Sequence, residues 1–146
     1  MNALRALLVG ALLWAVIFIE WSILLFAPVV KDMGDRQNFV HYVLLIPIVL
    51  FGAWLFYKNG NKTNGFLAGV LMLIAGIVLD ALITVPLFAG PQNGVTHVEF
   101  FTSGWMLIGF VELILISGLY GMKKVKSASK QKSVRTDTFL LQTTDS

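Results

Sequence analysis

Four long runs of apolar residues make up most of this chain, and they constrain its fold more than any other feature. They lie at about 6–30, 39–57, 65–90 and 100–122. A helix needs roughly 20 apolar residues to cross the hydrocarbon core of a bilayer, and each run is long enough. Only 13% of the residues are charged, about half the share of a typical soluble domain. The sequence therefore predicts an all-α, polytopic membrane protein with four transmembrane helices in a bundle.

The domain organisation follows from the same pattern, with a four-helix domain at 1–122 and a basic tail at 123–146. The first run is too long for the apolar core of a signal peptide, contains Glu20 and has no small-x-small cleavage site, so it is interpreted as a retained span. The tail is rich in Lys, Ser and Thr and is predicted to be disordered. It could serve only to fix the topology, or it could contact anionic lipid.

The basic residues predict how the bundle is oriented. Nine of the 11 Lys and Arg residues fall on one side, at Arg5, Lys58, Lys62 and six positions of the tail. The other side has only Lys31 and Arg36. By the positive-inside rule both termini are cytoplasmic, in a multi-pass protein of the cell (inner or plasma) membrane. Because the positive charge is concentrated in the tail, the sequence indicates no nucleic-acid partner.

Three carboxylates, those of Glu20, Asp80 and Glu112, lie inside the predicted spans with no basic residue at the same predicted depth. Insertion scales put the cost of such a charge at a helix centre at about 2.5–3.5 kcal/mol, so each carboxylate should face protein or water, or carry a proton. Asp80 shares a helical face with Thr84. We predict a buried polar site made of Glu20, Asp80, Glu112 and Thr84. The spacing alone does not decide whether the three acids converge.

A stripe of small residues lies on the same face of the third span as Asp80. Its glycines are Gly65, Gly69 and Gly76. Small residues let helix backbones approach closely in lipid, so the stripe is predicted to pack against another helix. Two interpretations of Asp80 stay open here: it belongs to a functional site, or it only forms a hydrogen bond that holds two helices together.

His41, His97 and Glu99 are predicted to form a polar rim at the outer boundary. They also suggest a weak internal repeat, because each half of the chain reads an acid, then Phe-Ala followed by Pro, then a histidine. The acids are Glu20 and Asp80, and the two halves would be parallel repeats. A haem would need both histidines within the bundle, and His97 follows a loop-like GPQNGVT segment. We therefore predict no cofactor and no metal, with both histidines satisfied by water or loop carbonyls.

The segments DALITVPLF (80–88) and HVEFFTSGWMLIGFVE (97–112) resemble small bacterial four-span integral membrane proteins of uncharacterised families. That resemblance implies a four-span fold and a bacterial origin. It implies no activity, cofactor or site residues.

The function stays open between three classes. The chain has no cysteine, no Gly-rich phosphate loop and no HExxH or GxSxG motif, so a non-enzymatic role is favoured without being decided. The leading hypothesis is binding or transport of a small molecule or ion, coupled to protons through the buried carboxylates. The alternative is an accessory or assembly subunit that packs against itself or a membrane partner. A membrane redox or haem protein that uses the two histidines is the third. The lipid bilayer is the partner common to all three.

Overall fold

The computed structural model describes residues 3–26 and 35–144, and the described chain is helical without any strand. The elements are α1 (Ala3–Phe26), α2 (Asp35–Tyr57), α3 (Gly65–Leu79), a π-helix (Asp80–Ala89), α4 (Gly90–Asn93), α5 (His97–Thr102) and α6 (Gly104–Thr144). Four segments are long and apolar enough to cross a membrane: Ala3–Phe26, Arg36–Tyr57, Gly65–Asn93 and Gly104–Ser127. The predicted all-α, four-span architecture is thus confirmed. Residues 27–30 of the predicted first span lie outside the described residues.

The four long segments form a ring in which each packs against two neighbours. Helix α1 contacts α2 and α3, and α6 contacts the same two helices from the other side. The core between them contains Ala6, Val9, Leu13, Leu45, Val49, Phe56, Tyr57, Ala68, Met72 and Leu113. Many large aliphatic side chains point outward instead, as expected where the solvent is lipid.

Glycines allow the closest helix contacts in this ring. A Cβ atom on Gly65 would lie 2.6 Å from the carbonyl oxygen of Ser117 in α6. A Cβ atom on Gly10 would lie 2.5 Å from the carbonyl oxygen of Met72 in α3. Both distances are far below van der Waals contact, so any larger residue would force the backbones apart. Close packing of α3 against both α1 and α6 therefore depends on these two positions.

Two side chains satisfy helix-end carbonyls across the α1–α2 pair. The guanidinium of Arg5, near the start of α1, donates to the carbonyl oxygen of Leu55 in the last turn of α2. At the opposite end, Gln37 Nε2 donates to the carbonyl oxygen of Leu24 over 2.7 Å. Carbonyls in a last helical turn have no partner within their own helix, so each bond removes an unsatisfied acceptor. Together the two bonds fix the register of α1 against α2.

Helix α6 continues without a break past residue 122, where we expected a disordered tail to begin. Lys, Ala, Gln and Leu in this stretch are good helix formers. Extending a helix that already exists also avoids the cost of starting a new one. The prediction of disorder rested on composition alone and took no account of this propagation.

The third span changes from α-helix to π-helix at Asp80, and the π-helix contains Pro86. In an α-helix the proline ring clashes with the carbonyl four residues earlier. The wider π-turn bonds five residues apart, as the Gly90 N–H does to the carbonyl of Val85. At Pro86 the backbone changes its helix type, whereas α2 continues as α-helix through Pro47.

Candidate functional site

Glu20 and His41 form a hydrogen-bonded pair between α1 and α2. Glu20 Oε2 lies 2.7 Å from His41 Nδ1, and the two side chains are only 12% and 17% exposed. The other carboxylate oxygen, Glu20 Oε1, is buried and has no hydrogen-bond partner among the described residues. From the sequence, this acid was predicted to have no basic partner at its depth. Its partner in the structure is His41, one of the residues of the predicted rim.

The position of this pair could have been found from the hairpin geometry. Midway between Glu20 and His41 is position 30–31, inside the connection between α1 and α2. In two antiparallel helices, residues equally far from the turn lie side by side. The equal spacing is present in the sequence, but it becomes visible only when the two spans are compared across the hairpin.

Aromatic rings surround His41, and a second carboxylate lies nearby. The ring of Trp21 packs edge-on 4.9 Å from the imidazole, and the ring of Tyr42 lies 5.5 Å away. Glu112 lies on α6, which packs against α2. Next to His41, the hydroxyl of Tyr42 donates to the carbonyl oxygen of Trp105 in α6 over 2.7 Å. Glu20 therefore contacts the imidazole directly, and Glu112 lies on a helix packed against the helix of His41.

Asp80 lies in a different interface, between α1 and the third span. Its Oδ1 accepts from Trp14 Nε1 over 2.8 Å and from the hydroxyl of Thr84 over 2.6 Å. Trp14 also stacks on Phe18, whose ring meets that of Phe88 edge-on. All the hydrogen-bond donors to this carboxylate are neutral. The structure thus brings Asp80 and Thr84 together, and adds Trp14 as a second donor.

The geometry of α1 separates Asp80 from the Glu20 pair. Trp14 and Glu20 are six residues apart, which places them about 120° apart around the helix axis and about 9 Å apart along it. One side chain reaches towards the third span and the other towards α2. No hydrogen bond joins the three acids within the described ranges. Glu20 lies between α1 and α2, Asp80 between α1 and the third span, and Glu112 along α2 and α6.

An open groove lies along α2 and α6, with a volume of about 630 Å³. It is lined by Ile46, Leu107, Ile108, Val111, Glu112, Leu115 and Ile116. Glu112 is the single polar side chain in this lining set. The groove therefore presents one carboxylate on an otherwise aliphatic surface.

A family model matches residues 33–124, which is more than half of the chain. The family is a family of unknown function, DUF5367. This chain belongs to it. The prediction of an uncharacterised family is thereby confirmed. Comparisons with curated proteins and with solved structures give no match.

The part that matches DUF5367 contains His41, Asp80 and Glu112, whereas Glu20 and Trp14 precede it. It also contains the two remaining residues of the predicted rim.

His97 Nε2 lies 3.0 Å from the carbonyl oxygen of Ala81, and because a carbonyl only accepts, this nitrogen carries the hydrogen. Among the residues that the structure describes, no group of three or more acids and histidines could hold a metal ion.

Glu99 has a local role at the start of α5. Its Oε2 accepts from the Thr96 backbone N–H over 2.9 Å and from the Thr96 hydroxyl over 2.8 Å. Together with the reciprocal bond from the Glu99 N–H to that hydroxyl, these contacts form a capping box. The bonds from Thr96 lower the pKa of the Glu99 carboxyl below its usual value. The three residues of the predicted rim thus have three separate sets of contacts.

The three glycines of the predicted stripe also have different surroundings. Gly65 and Gly69 face α6, where a Cβ atom on Gly69 would lie 3.2 Å from the Cα atom of Ile114. Gly76 has open space, with no atom within 4 Å of the position of a Cβ atom. Close packing within the chain accounts for the first two glycines and not for the third.

Proposed function

We propose that this DUF5367 protein binds or transports a small molecule in a process coupled to protons, and that Glu20 and His41 hold the proton. The observation that carries the proposal is the 2.7 Å contact between Glu20 Oε2 and His41 Nδ1 within the spans. Imidazole is the side chain that changes its charge in the physiological pH range, and carboxyl–histidine sets recur in proton relays of membrane proteins.

The second oxygen of Glu20 supports the same proposal. Glu20 Oε1 is buried and lacks a hydrogen-bond partner among the described residues. A buried carboxylate oxygen left in this way is costly, and binding a proton or a water molecule relieves the cost. The pair therefore has an acceptor where an additional proton would be stabilised. Asp80 has no such opening on Oδ1, because Trp14 and Thr84 both donate to that atom.

The assembly-subunit alternative is less favoured. Its motivation was the glycine stripe, and Gly65 and Gly69 pack against α6 of the same chain. A partner helix is not needed to explain them.

Infrared difference spectroscopy tests the proposal, by comparing the purified protein in lipid at pH values from 5 to 8. We expect a carboxyl band that changes over this range, disappears in Glu20→Gln and changes shape in His41→Asn. Glu99→Gln is the matched control, because it removes a carboxyl outside the spans and should leave the band unchanged. A spectrum in which Glu20→Gln gives the same difference bands as the wild type would exclude Glu20 as the proton carrier.

A further inference from the structure

The groove along α2 and α6 combines an aliphatic wall with one carboxylate, and lipid tails can satisfy only the wall. Six of its seven lining side chains are aliphatic, and the seventh is the carboxylate of Glu112. Most of these aliphatic side chains are well exposed on the outside of the bundle, including Leu107, Val111 and Leu115. Lipid tails can cover the aliphatic part, but they have no donor or positive charge to offer the carboxylate.

The occupant that fits both parts carries one positive charge on an apolar body. Its charge would compensate Glu112, and its apolar surface would cover the aliphatic wall. The volume of about 630 Å³ falls within the range of small-molecule sites, about 300–1,000 Å³. We propose that this groove binds a lipophilic monovalent cation, with Glu112 as its counter-ion.

The position of Glu112 also connects this site to the proton pair. Glu112 lies on α6, which packs against α2, the helix of His41, so a cation bound at Glu112 disfavours a positive charge on the imidazole. Binding of the cation and release of a proton would then be linked. This link rests on the proposed function, whereas binding of the cation does not.

The test uses tetraphenylphosphonium as the probe and tetraphenylborate as its control of similar shape and opposite charge. Equilibrium dialysis against the protein in nanodiscs of zwitterionic lipid, corrected with empty nanodiscs, measures the binding of each. We expect saturable binding of the cation alone. Glu112→Gln should weaken it by about tenfold or more, as for the loss of a charged partner, and Glu112→Asp should retain most of it.

Two further variants complete the design. Leu115→Trp fills the groove without changing the charge and should also abolish binding. Glu99→Gln removes an exposed carboxylate outside the groove and should bind as the wild type does. Helicity and thermal unfolding in detergent identify any variant that fails to fold. A folded Glu112→Gln with wild-type affinity, or equal binding of the borate, would overturn the proposal.

Other occupants would give different results. If the protein is a dimer in nanodiscs and Leu115→Trp makes it monomeric, the groove is an interface between two copies and the cation site is wrong. The proton pair is judged separately by the infrared band of Glu20. Binding of the phosphonium without that band would leave the cation site standing and remove the proton role, and the reverse result would remove the cation site alone.

Discussion

The two halves of the chain each place an acid in a span and a histidine after it, yet the contacts of the two pairs differ. In the first half, the imidazole of His41 reaches the carboxylate of Glu20 directly. In the second half, His97 binds the backbone carbonyl of Ala81, the residue after Asp80. An internal repeat stays a prediction, but the acid–imidazole contact is not repeated.

The cause of the difference is the backbone around Pro86. In the π-helix, hydrogen bonds join residues five apart, so the carbonyl of Ala81 would pair with the N–H of residue 86. Proline has no N–H, and this carbonyl therefore lacks a donor within the helix. His97 provides that donor, while neutral donors satisfy Asp80. One backbone feature thus turns a similar order of residues into a contact with a backbone carbonyl, whereas Glu20 and His41 are in direct side-chain contact.

Replacing Asp80 with leucine should have the largest effect, because it removes the acceptor of two hydrogen bonds in the second half of the chain. Asp80→Leu leaves the indole N–H of Trp14 and the hydroxyl of Thr84 without their acceptor. Hydrogen bonds between membrane helices average about 0.6 kcal/mol and reach about 1.7. With two bonds lost, we expect the free energy of unfolding to fall by roughly 1–3 kcal/mol, measured by SDS-induced unfolding in mixed micelles.

Asp80→Asn separates the hydrogen bonds from the charge. It keeps an acceptor oxygen for both donors, so the loss should be below about 1 kcal/mol. Val78→Leu, at an outward-facing position one turn or less away, is the control and should be neutral. If Asp80→Asn were as unstable as Asp80→Leu, the negative charge itself would be needed, and Asp80 could not be treated as a purely structural acid.

The fold could be predicted from the sequence because lipid imposes a simple rule on span length and composition. All four spans were located, and helical periodicity placed Asp80 and Thr84 on one face. Periodicity did not give the contacts of Glu20 and Trp14, because it describes one helix at a time and these contacts depend on how α1 is rotated against two other helices. For Glu20, the equal spacing of Glu20 and His41 from the turn was a separate signal in the sequence.

The role of His97 was beyond the sequence for a different reason. It depends on an i+5 hydrogen-bond register that Pro86 permits but does not dictate, since α2 passes Pro47 as α-helix. The proline alone does not show which carbonyl lacks a donor, so the sequence left water or a loop carbonyl as the predicted partner of His97.

A double-mutant cycle tests the link between Pro86 and His97, with a smaller expected effect. His97→Ala in the wild type should cost about 0.5–1.5 kcal/mol, the usual net value of one hydrogen bond. In Pro86→Ala, residue 86 regains an N–H, so the Ala81 carbonyl has a donor without His97. The cost of His97→Ala should then fall by at least half. Equal costs in both backgrounds would mean that the proline does not create the need for the histidine.

The smallest effect is expected at Glu99, whose protonation should change only the stability of the start of α5. Because hydrogen bonds from Thr96 lower the pKa of the folded carboxyl below its usual value of 4.5, Glu99 stabilises α5 above that value. The stabilisation is lost as the pH falls through the folded pKa. Glu99 is fully exposed, so water competes for the same bonds and the change is confined to the start of α5.

An NMR titration of the Thr96 amide provides the measurement. Its chemical shift should change only below about pH 4.5, and Glu99→Gln should remove that change while keeping part of the capping bond, since glutamine can also close the box. The same titration followed at His41 should be unaffected by Glu99→Gln. A shift of the His41 signal in that variant would mean that the acid at the start of α5 influences the Glu20–His41 pair, and Glu99→Gln could not serve as its control.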